Sequence, residues 1–121
     1  MKEKPLLAAD REQTVSLASE TQFAPNGIVS RTVFATPTTR IILFGFAPEQ
    51  EMTEHTSTRH ALVQMLTGEC EFTLGGRKQI LKTGDFLHLP PGLPHALLAT
   101  QQFSMLLTLT KPAEVPAIAT N

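Results

Sequence analysis

The stretch from Gly84 to His95 has the sequence Gly-Asp-Phe-Leu-His-Leu-Pro-Pro-Gly-Leu-Pro-His, and it decides the fold that the chain predicts. A glycine turn precedes a short apolar strand over 86–89, and the segment 90–94 then forms a rigid Pro/Gly corner. His95 follows the corner and opens a second apolar run over 96–99. Because proline fixes its own φ, the corner sets the direction in which the His95 ring enters the next strand.

On both sides of this stretch, short apolar segments alternate with turn residues, and there is almost no helical pattern. A Gly-Gly pair at 75–76 predicts a two-residue hairpin turn. Residues 49–59 are polar and are predicted to be a turn-like connection with His55 in its middle. The candidate strands cover 28–34, 40–46, 60–66, 69–74, 77–81, 86–89, 95–99 and 103–110. Short strands at this regular spacing predict an all-β fold, an antiparallel jelly-roll barrel.

The chain of 121 residues is predicted to form one domain with a segment on either side of the barrel. Residues 1–27 fit either an irregular arm or a short helix, residues 28–110 form the barrel, and residues 111–121 form a Pro/Ala-rich tail. The start of the chain does not resemble a signal peptide, and the longest apolar run, 41–47, is too short to span a bilayer. We therefore expect a cytoplasmic protein with no membrane partner.

The composition argues against a nucleic-acid partner and favours association with other copies of the chain. The formal net charge is only −1 at pH 7, so there is no basic field that would attract a phosphate backbone. Hydrophobic residues make up 41% of the chain and charged residues 17%, an apolar balance that favours a homodimer. Cys70 is the single cysteine, which excludes an intrachain disulfide, and its alternation with Phe72 and Leu74 predicts a buried thiol.

Two spacings in the chain resemble the paired motifs of the cupin superfamily, a group of small jelly-roll barrels. The second cupin motif has a glycine, five residues, Pro-x-Gly, two residues, a histidine, three residues and an asparagine. Here Gly84, the triplet 90–92, His95 and Ala99 stand at that spacing. The resemblance covers roughly residues 40–110 and implies the jelly-roll fold that the strand pattern predicts on its own.

The first cupin motif is matched less completely. It has a glycine, five residues, His-x-His, three or four residues, a glutamate, six residues and a glycine. Here the corresponding positions hold Glu49, His55, Ser57, Ala61 and Gly68. In the family, the two histidines and the glutamate of this motif join the histidine of the other motif around a divalent metal.

The resemblance therefore implies a metal site with an incomplete ligand set. Only His55 and His95 are kept, while Ser57, Ala61 and Ala99 replace a histidine, the glutamate and the asparagine. Two neutral imidazoles with water can hold a transition metal, although weakly. Zinc, iron, nickel, copper and manganese are all candidates.

His60 is the candidate third metal ligand, one residue before the glutamate position of the motif. Strand alternation directs it to the face opposite Ala61, whereas a bulge before the strand would turn it inward. Three histidines with an open position would suit zinc, iron, copper or nickel. His88, in the middle of its short strand, is interpreted as a surface or interface residue.

Alternation along two strands also predicts an apolar pocket inside the barrel, with His55 and His95 at its mouth. The predicted lining residues are Ala61, Val63, Met65, Leu97 and Ala99.

Three functions stay open at this point. One is a metal-dependent enzyme, dioxygenase-like or isomerase-like, in which His55 and His95, with or without His60, hold the ion beside a small organic substrate. A second is a binding or sensor module that holds a hydrophobic or sugar-like ligand without turnover. A third is a dimerising scaffold subunit. Fold alone does not decide among them, because one barrel can host many chemistries.

Overall fold

A computed structural model describes residues 3–113 of the chain, and strands dominate that range. The elements are α1 (Leu17–Glu20), β1 (Ile28–Ala35), β2 (Thr39–Phe46), β3 (Glu51–His55), β4 (His60–Thr67), β5 (Glu69–Leu74), β6 (Arg77–Lys82), β7 (Phe86–Leu89), β8 (His95–Leu98) and β9 (Phe103–Thr110). Every strand pairing is antiparallel. The predicted all-β jelly-roll barrel is confirmed.

The strands form two sheets that face each other across the core. One sheet has five strands in the order β1-β2-β9-β4-β7, and the other has four in the order β3-β8-β5-β6. Neighbours in a sheet are often far apart in the chain, as with β2 and β9, because the chain crosses repeatedly from one sheet to the other. This crossing brings His55 of β3 and His95 of β8 onto adjacent strands.

The turn-like interpretation of residues 49–59 was wrong at its centre, because β3 occupies Glu51–His55. Within the described part of the chain, this strand pairs only with β8 and lies at the edge of its sheet. Four of its five residues are exposed, so it has no alternating apolar pattern. An edge strand of this kind lacks the signal by which strands are recognised in a sequence.

The core fills the space between the two sheets with the inward side chains of both. Along β5, for example, Cys70, Phe72 and Leu74 are buried, while the residues between them are partly exposed. The rings of Phe46 and Phe103 stack with centroids 4.5 Å apart. This apolar packing between the sheets holds the strands that carry the two histidines.

The segment before β1 lies against the five-stranded sheet. The N–H groups of Leu6 and Leu7 donate to the carbonyls of Thr32 and Val33 in β1, at 3.0 and 2.8 Å. A Cβ added to Gly45 would lie 2.1 Å from the carbonyl oxygen of Gln22, so a glycine is needed where the two backbones meet. The segment contains both structures that the sequence left open, since it is irregular apart from the single turn of α1.

The expected tail from residue 111 falls largely outside the described residues. Across residues 3–113, no helix has the length and apolar character that a membrane crossing requires.

Candidate functional site

A cavity of about 260 Å³ lies between the sheets and reaches the end of the barrel where β3 ends and β8 begins. Its walls are mostly aliphatic, and its polar groups gather at the histidine end. The lining residues are Met52, His55, Thr56, Ser57, Ala61, Val63, Phe72, Leu89, His95, Ala96, Leu97, Met105, Leu107 and Leu109. His55 is exposed whereas His95 is buried, which places His55 at the mouth and His95 deeper.

Three of the five predicted pocket residues line this cavity: Ala61, Val63 and Leu97. The other two, Met65 and Ala99, lie in the packed core and do not line it. Met65 instead contacts Cys70, with 3.7 Å between the two sulfur atoms. Alternation gives the face of a strand on which a residue lies, but it does not give the depth at which the cavity ends.

One whole wall of the cavity was missing from the sequence interpretation. Met105, Leu107 and Leu109 of β9 form this wall, and Phe72 of β5, also not predicted, lines the cavity from the opposite sheet. The sequence does contain the pattern that predicts this wall, because the three β9 residues alternate along a predicted strand. The pocket prediction used only the strands next to His55 and His95, so β9 was left out of it.

The two mouth histidines are direct cross-strand neighbours. His55 ends β3, His95 begins β8, and the two residues are register partners. Their ring centroids lie 4.3 Å apart and the ring planes meet at 61°, an edge-to-face arrangement. The structure therefore brings together the two histidines that the paired motifs predicted.

A β-bulge puts His55 in this place. Met52 pairs with Leu97 and His55 pairs with His95, so three steps along β3 match two steps along β8. In a regular ladder, the residue two positions after Met52 would face His95, and that residue is Glu54. The extra residue of the bulge exchanges an acidic side chain for an imidazole at the cavity mouth.

Backbone carbonyls hold both rings in the same way. Nδ1 of His55 lies 2.9 Å from the carbonyl oxygen of Thr53, and Nδ1 of His95 lies 2.9 Å from that of Leu93. A carbonyl only accepts, so each Nδ1 carries the proton and donates it. In the neutral ring, Nε2 is then a free acceptor, and the same kind of contact fixes the ring orientation of metal-binding histidines.

The Pro/Gly corner and the loop after β3 are joined at the rim of the cavity. The N–H of Gly92 donates to the carbonyl of Ser57 at 2.8 Å, and the N–H of Arg59 donates to the Ser57 hydroxyl oxygen at 3.1 Å. Since that oxygen accepts from the backbone, the hydroxyl hydrogen of Ser57 can turn to the cavity. Ser57 is thus a third polar group beside the two imidazoles.

His60 does not join this group. It lies on the outer side of β4, where Nδ1 of His60 is 2.9 Å from Nε2 of His88. Strand alternation thus holds at this position, because the pairing of β4 with β9 is regular at His60 and shifts register only between Met65 and Thr67. Among residues 3–113, no three or more His, Cys, Asp or Glu side chains are grouped closely enough to hold a metal ion.

The donor set at the cavity mouth can be compared with the metal that the cupin motifs imply. Two Nε2 acceptors on fixed rings fit an ion held by two imidazoles and otherwise by water or by the ligand itself. They do not supply the closed shell of four protein ligands that the motif pattern implies, because Ser57 and Ala61 replace a histidine and the glutamate.

Comparisons with known proteins give one consistent result. The family model described as "Cupin domain" matches residues 42–109. A conserved protein of unknown function from Streptococcus pyogenes is 28% identical with a TM-score of 0.80, over 94% of this chain and 98% of that one. A cupin superfamily protein from Desulfitobacterium hafniense is 26% identical with a TM-score of 0.79, over 93% and 100%.

A cupin 2 conserved barrel domain protein from Leptotrichia buccalis is 33% identical with a TM-score of 0.74 over 78% of this chain, which spans only 46% of that longer protein. None of the curated proteins that were compared matches this chain.

Proposed function

The chain belongs to the cupin family, and on that premise we propose that its barrel binds a small, largely apolar organic molecule whose polar group faces His55 and His95. The observation that carries the proposal is the backbone support of both rings. With each Nδ1 donating to a carbonyl, the two Nε2 atoms remain as acceptors at the mouth of an apolar cavity. Cavities with aliphatic walls and a few convergent polar groups are typical ligand sites.

The size and lining of the cavity limit the ligand class. A volume of about 260 Å³ lies just below the roughly 300–1,000 Å³ of sites for drug-sized molecules, so a fragment-sized molecule fits. Aliphatic walls favour a hydrophobic body over a sugar-like one, which would leave several hydroxyl groups unpaired. The free imidazole acceptors favour a head group that donates a hydrogen bond, such as a hydroxyl, a phenol or a protonated acid.

The test compares two probes that differ only in this donor. Para-cresol and toluene have nearly the same shape, but para-cresol can donate to Nε2 of His55 or His95. With the protein kept in chelator, para-cresol should raise the melting temperature more than toluene does at equal concentration. Amide NMR signals of cavity residues, Val63 and Leu97 among them, should shift with both probes.

Equal melting shifts for the two probes would contradict the assigned role of the histidines. NMR shifts confined to residues outside the cavity would contradict binding in the barrel altogether. The melting comparison thus tests the hydrogen bond to the histidines, and the NMR shifts test whether the ligand binds in the barrel.

Metal-assisted binding at the same histidines is the second candidate function. Backbone bonds to Nδ1 are the support that a ligating imidazole needs, and this observation favours the candidate. His55 and His95 would hold a divalent zinc, iron, nickel, copper or manganese ion through Nε2. When bound, such an ion supplies Lewis-acid polarisation of a ligand oxygen, on which dioxygenase-like or isomerase-like turnover would depend.

Chelation separates the two candidates. A cresol shift that survives chelator supports direct binding to the imidazoles. A shift that disappears with chelator and returns with zinc supports the metal-assisted form. The third function considered for the chain, a dimerising scaffold, would leave both probes without effect at the cavity.

We also propose that the protein forms a homodimer. Phe86 is 66% exposed and lies on β7, which ends the described five-stranded sheet, so this side chain and the outer edge of the strand together offer a surface to a second copy.

A further inference from the structure

The outer surface of the five-stranded sheet carries a second histidine pair that the cavity does not use. His60 begins β4, and His88 lies within β7, the adjacent edge strand. Leu62 is the register partner of His88, so His60 is the diagonal neighbour of His88 on the same face. Diagonal neighbours lie within reach of long side chains, and here the two rings meet.

The contact between these rings is a nitrogen-to-nitrogen contact. Nδ1 of His60 lies 2.9 Å from Nε2 of His88, the ring centroids are 5.1 Å apart, and the planes differ by 26°. Two neutral imidazoles that meet in this way share one proton, since one nitrogen donates and the other accepts. A pair of nitrogens on one face, held together by two paired strands, is also a pair of metal ligands.

We propose that His60 and His88 form a second transition-metal site, on the outside of the barrel and separate from the cavity. The ion takes the place of the shared proton between the rings. That proton moves, by exchange with solvent, to the far nitrogen of the ring that donated it, so both facing nitrogens become ligands. The rings must swing apart until both lone pairs point at the ion, and His88 is exposed, so this motion leaves the core unchanged.

The affinity order of the first-row metals, more than the spacing of the two nitrogens, indicates which ion the pair would hold. Two nitrogens about 2.05 Å from one ion lie about 2.9 Å apart at a right angle and about 3.3 Å apart at a tetrahedral angle. The observed 2.9 Å belongs to the hydrogen bond between the rings and changes when they swing apart, so it is compatible with either geometry. Cu²⁺ is the preferred ion because it has the highest affinity for imidazole in the divalent first-row series.

The site is open and its affinity is modest. It has two protein ligands, and among residues 3–113 no third His, Cys, Asp or Glu side chain is grouped with them. Arg59 and Lys111 stand next in sequence to His60 and to its register partner Thr110, and their positive charge disfavours a cation. Water, a small chelating molecule or a donor from another protein would complete the coordination.

The experiment titrates Cu²⁺ into protein in which the cavity pair has been removed by His55→Asn and His95→Asn. One Cu²⁺ should bind per chain, with the electron paramagnetic resonance pattern of two nitrogen ligands. Adding His88→Asn should abolish this signal, and so should His60→Asn. The matched control is Gln64→Asn, an exposed polar residue of β4, which should leave Cu²⁺ binding unchanged.

Two results would overturn the proposal: no Cu²⁺ binding in the doubly substituted protein, or binding that His88→Asn does not alter. If the doubly substituted protein does not fold, the comparison is made in the unsubstituted chain, where His88→Asn should lower the stoichiometry by one. The cresol assay should be unchanged by His88→Asn alone, in a chain that keeps His55 and His95. An error about this site is thereby distinguished from an error about the cavity.

Discussion

At the residue scale, the properties of the cavity mouth come from how two imidazoles are held. His55 and His95 each donate from Nδ1 to the carbonyl two residues earlier, so the ring orientation is a local property of the backbone. The sequence predicted both residues from the paired motifs, of which the one around His95 is specific and the one around His55 is matched less completely. It could not predict that Met65 lies beyond the cavity, since the depth of a cavity depends on which side chains fill its end.

Cys70 offers a prediction at the same scale. Its side chain is fully buried, and burial, with a smaller contribution from the charge of Glu69, raises the pKa of the thiol from 9.0 to about 12. We expect native protein to resist alkylation by iodoacetamide at pH 8 and still at pH 10, because the thiolate is the nucleophile. Mass spectrometry should show modification only after urea is added, and rapid alkylation of native protein would contradict the burial.

The same raised pKa gives a pH dependence of stability with a definite sign. Above pH 9 the unfolded thiol loses its proton while the native thiol keeps it, so the unfolded state becomes relatively more favourable. The contribution of Cys70 is therefore complete below pH 9 and is lost as the pH rises towards 12. Cys70→Ser unfolding curves measured between pH 8 and 10.5 should show a weaker fall in stability than the unsubstituted chain does.

At the element scale, β3 shows where strand prediction fails. Its exposed residues have no apolar alternation, and its bulge cannot be seen without the partner strand β8. The motif pattern identified His55 without giving the backbone device that turns it inward. One additional residue in the ladder decides whether an acid or an imidazole faces His95.

Because of the bulge, substitutions at the adjacent residues Glu54 and His55 should affect ligand binding differently. His55→Ala should reduce the difference between para-cresol and toluene in the melting assay, because it removes one of the two acceptors at the mouth and leaves only His95. Glu54→Ala should leave that difference intact, since Glu54 is exposed and outside the cavity lining. The reverse result would mean that β3 pairs with β8 in the regular register.

The turn between β4 and β5 gives a second prediction for an element. Gly68 has φ +73°, and a Cβ there would lie 2.4 Å from the carbonyl oxygen of Gln102. Gly68→Ala should therefore lower the unfolding free energy by more than the roughly 1 kcal/mol expected for the backbone conformation alone.

The matched control is Gly76→Ala. Gly76 has φ +85°, but nothing lies within 4 Å of its added Cβ, so only the conformational cost applies. Urea unfolding of both variants measures the difference. Equal losses would show that the contact with Gln102 relaxes at no cost.

At the scale of the whole molecule, turn spacing and the Gly84–His95 stretch were sufficient to predict the jelly roll. Glycines and prolines mark where strands end, and paired motifs mark which distant strands meet, so little else was needed. The sequence does not predict interactions with other copies in the same way, because these depend on the shape of the folded surface. The homodimer therefore stays a proposal.

The dimer proposal can be tested by measuring the oligomeric state after substituting an exposed apolar residue on each sheet. Phe86→Glu should convert the dimer to a monomer in light scattering coupled to size-exclusion chromatography, because a charge would be buried at the contact. Ile80→Glu is the control, since Ile80 is 44% exposed but lies on β6 of the other sheet. A monomer for the unsubstituted chain, or dissociation by the Ile80 variant alone, would contradict a contact at Phe86.

The hydrogen bond from Gly92 to Ser57 has a consequence for how ligands enter and leave the cavity. It joins the Pro/Gly corner to the loop after β3, so the two sides of the cavity mouth are linked through their backbones. We expect a ligand wider than the mouth to enter or leave only after this main-chain hydrogen bond breaks. Exchange of such a ligand should then be slower than exchange of a narrower one.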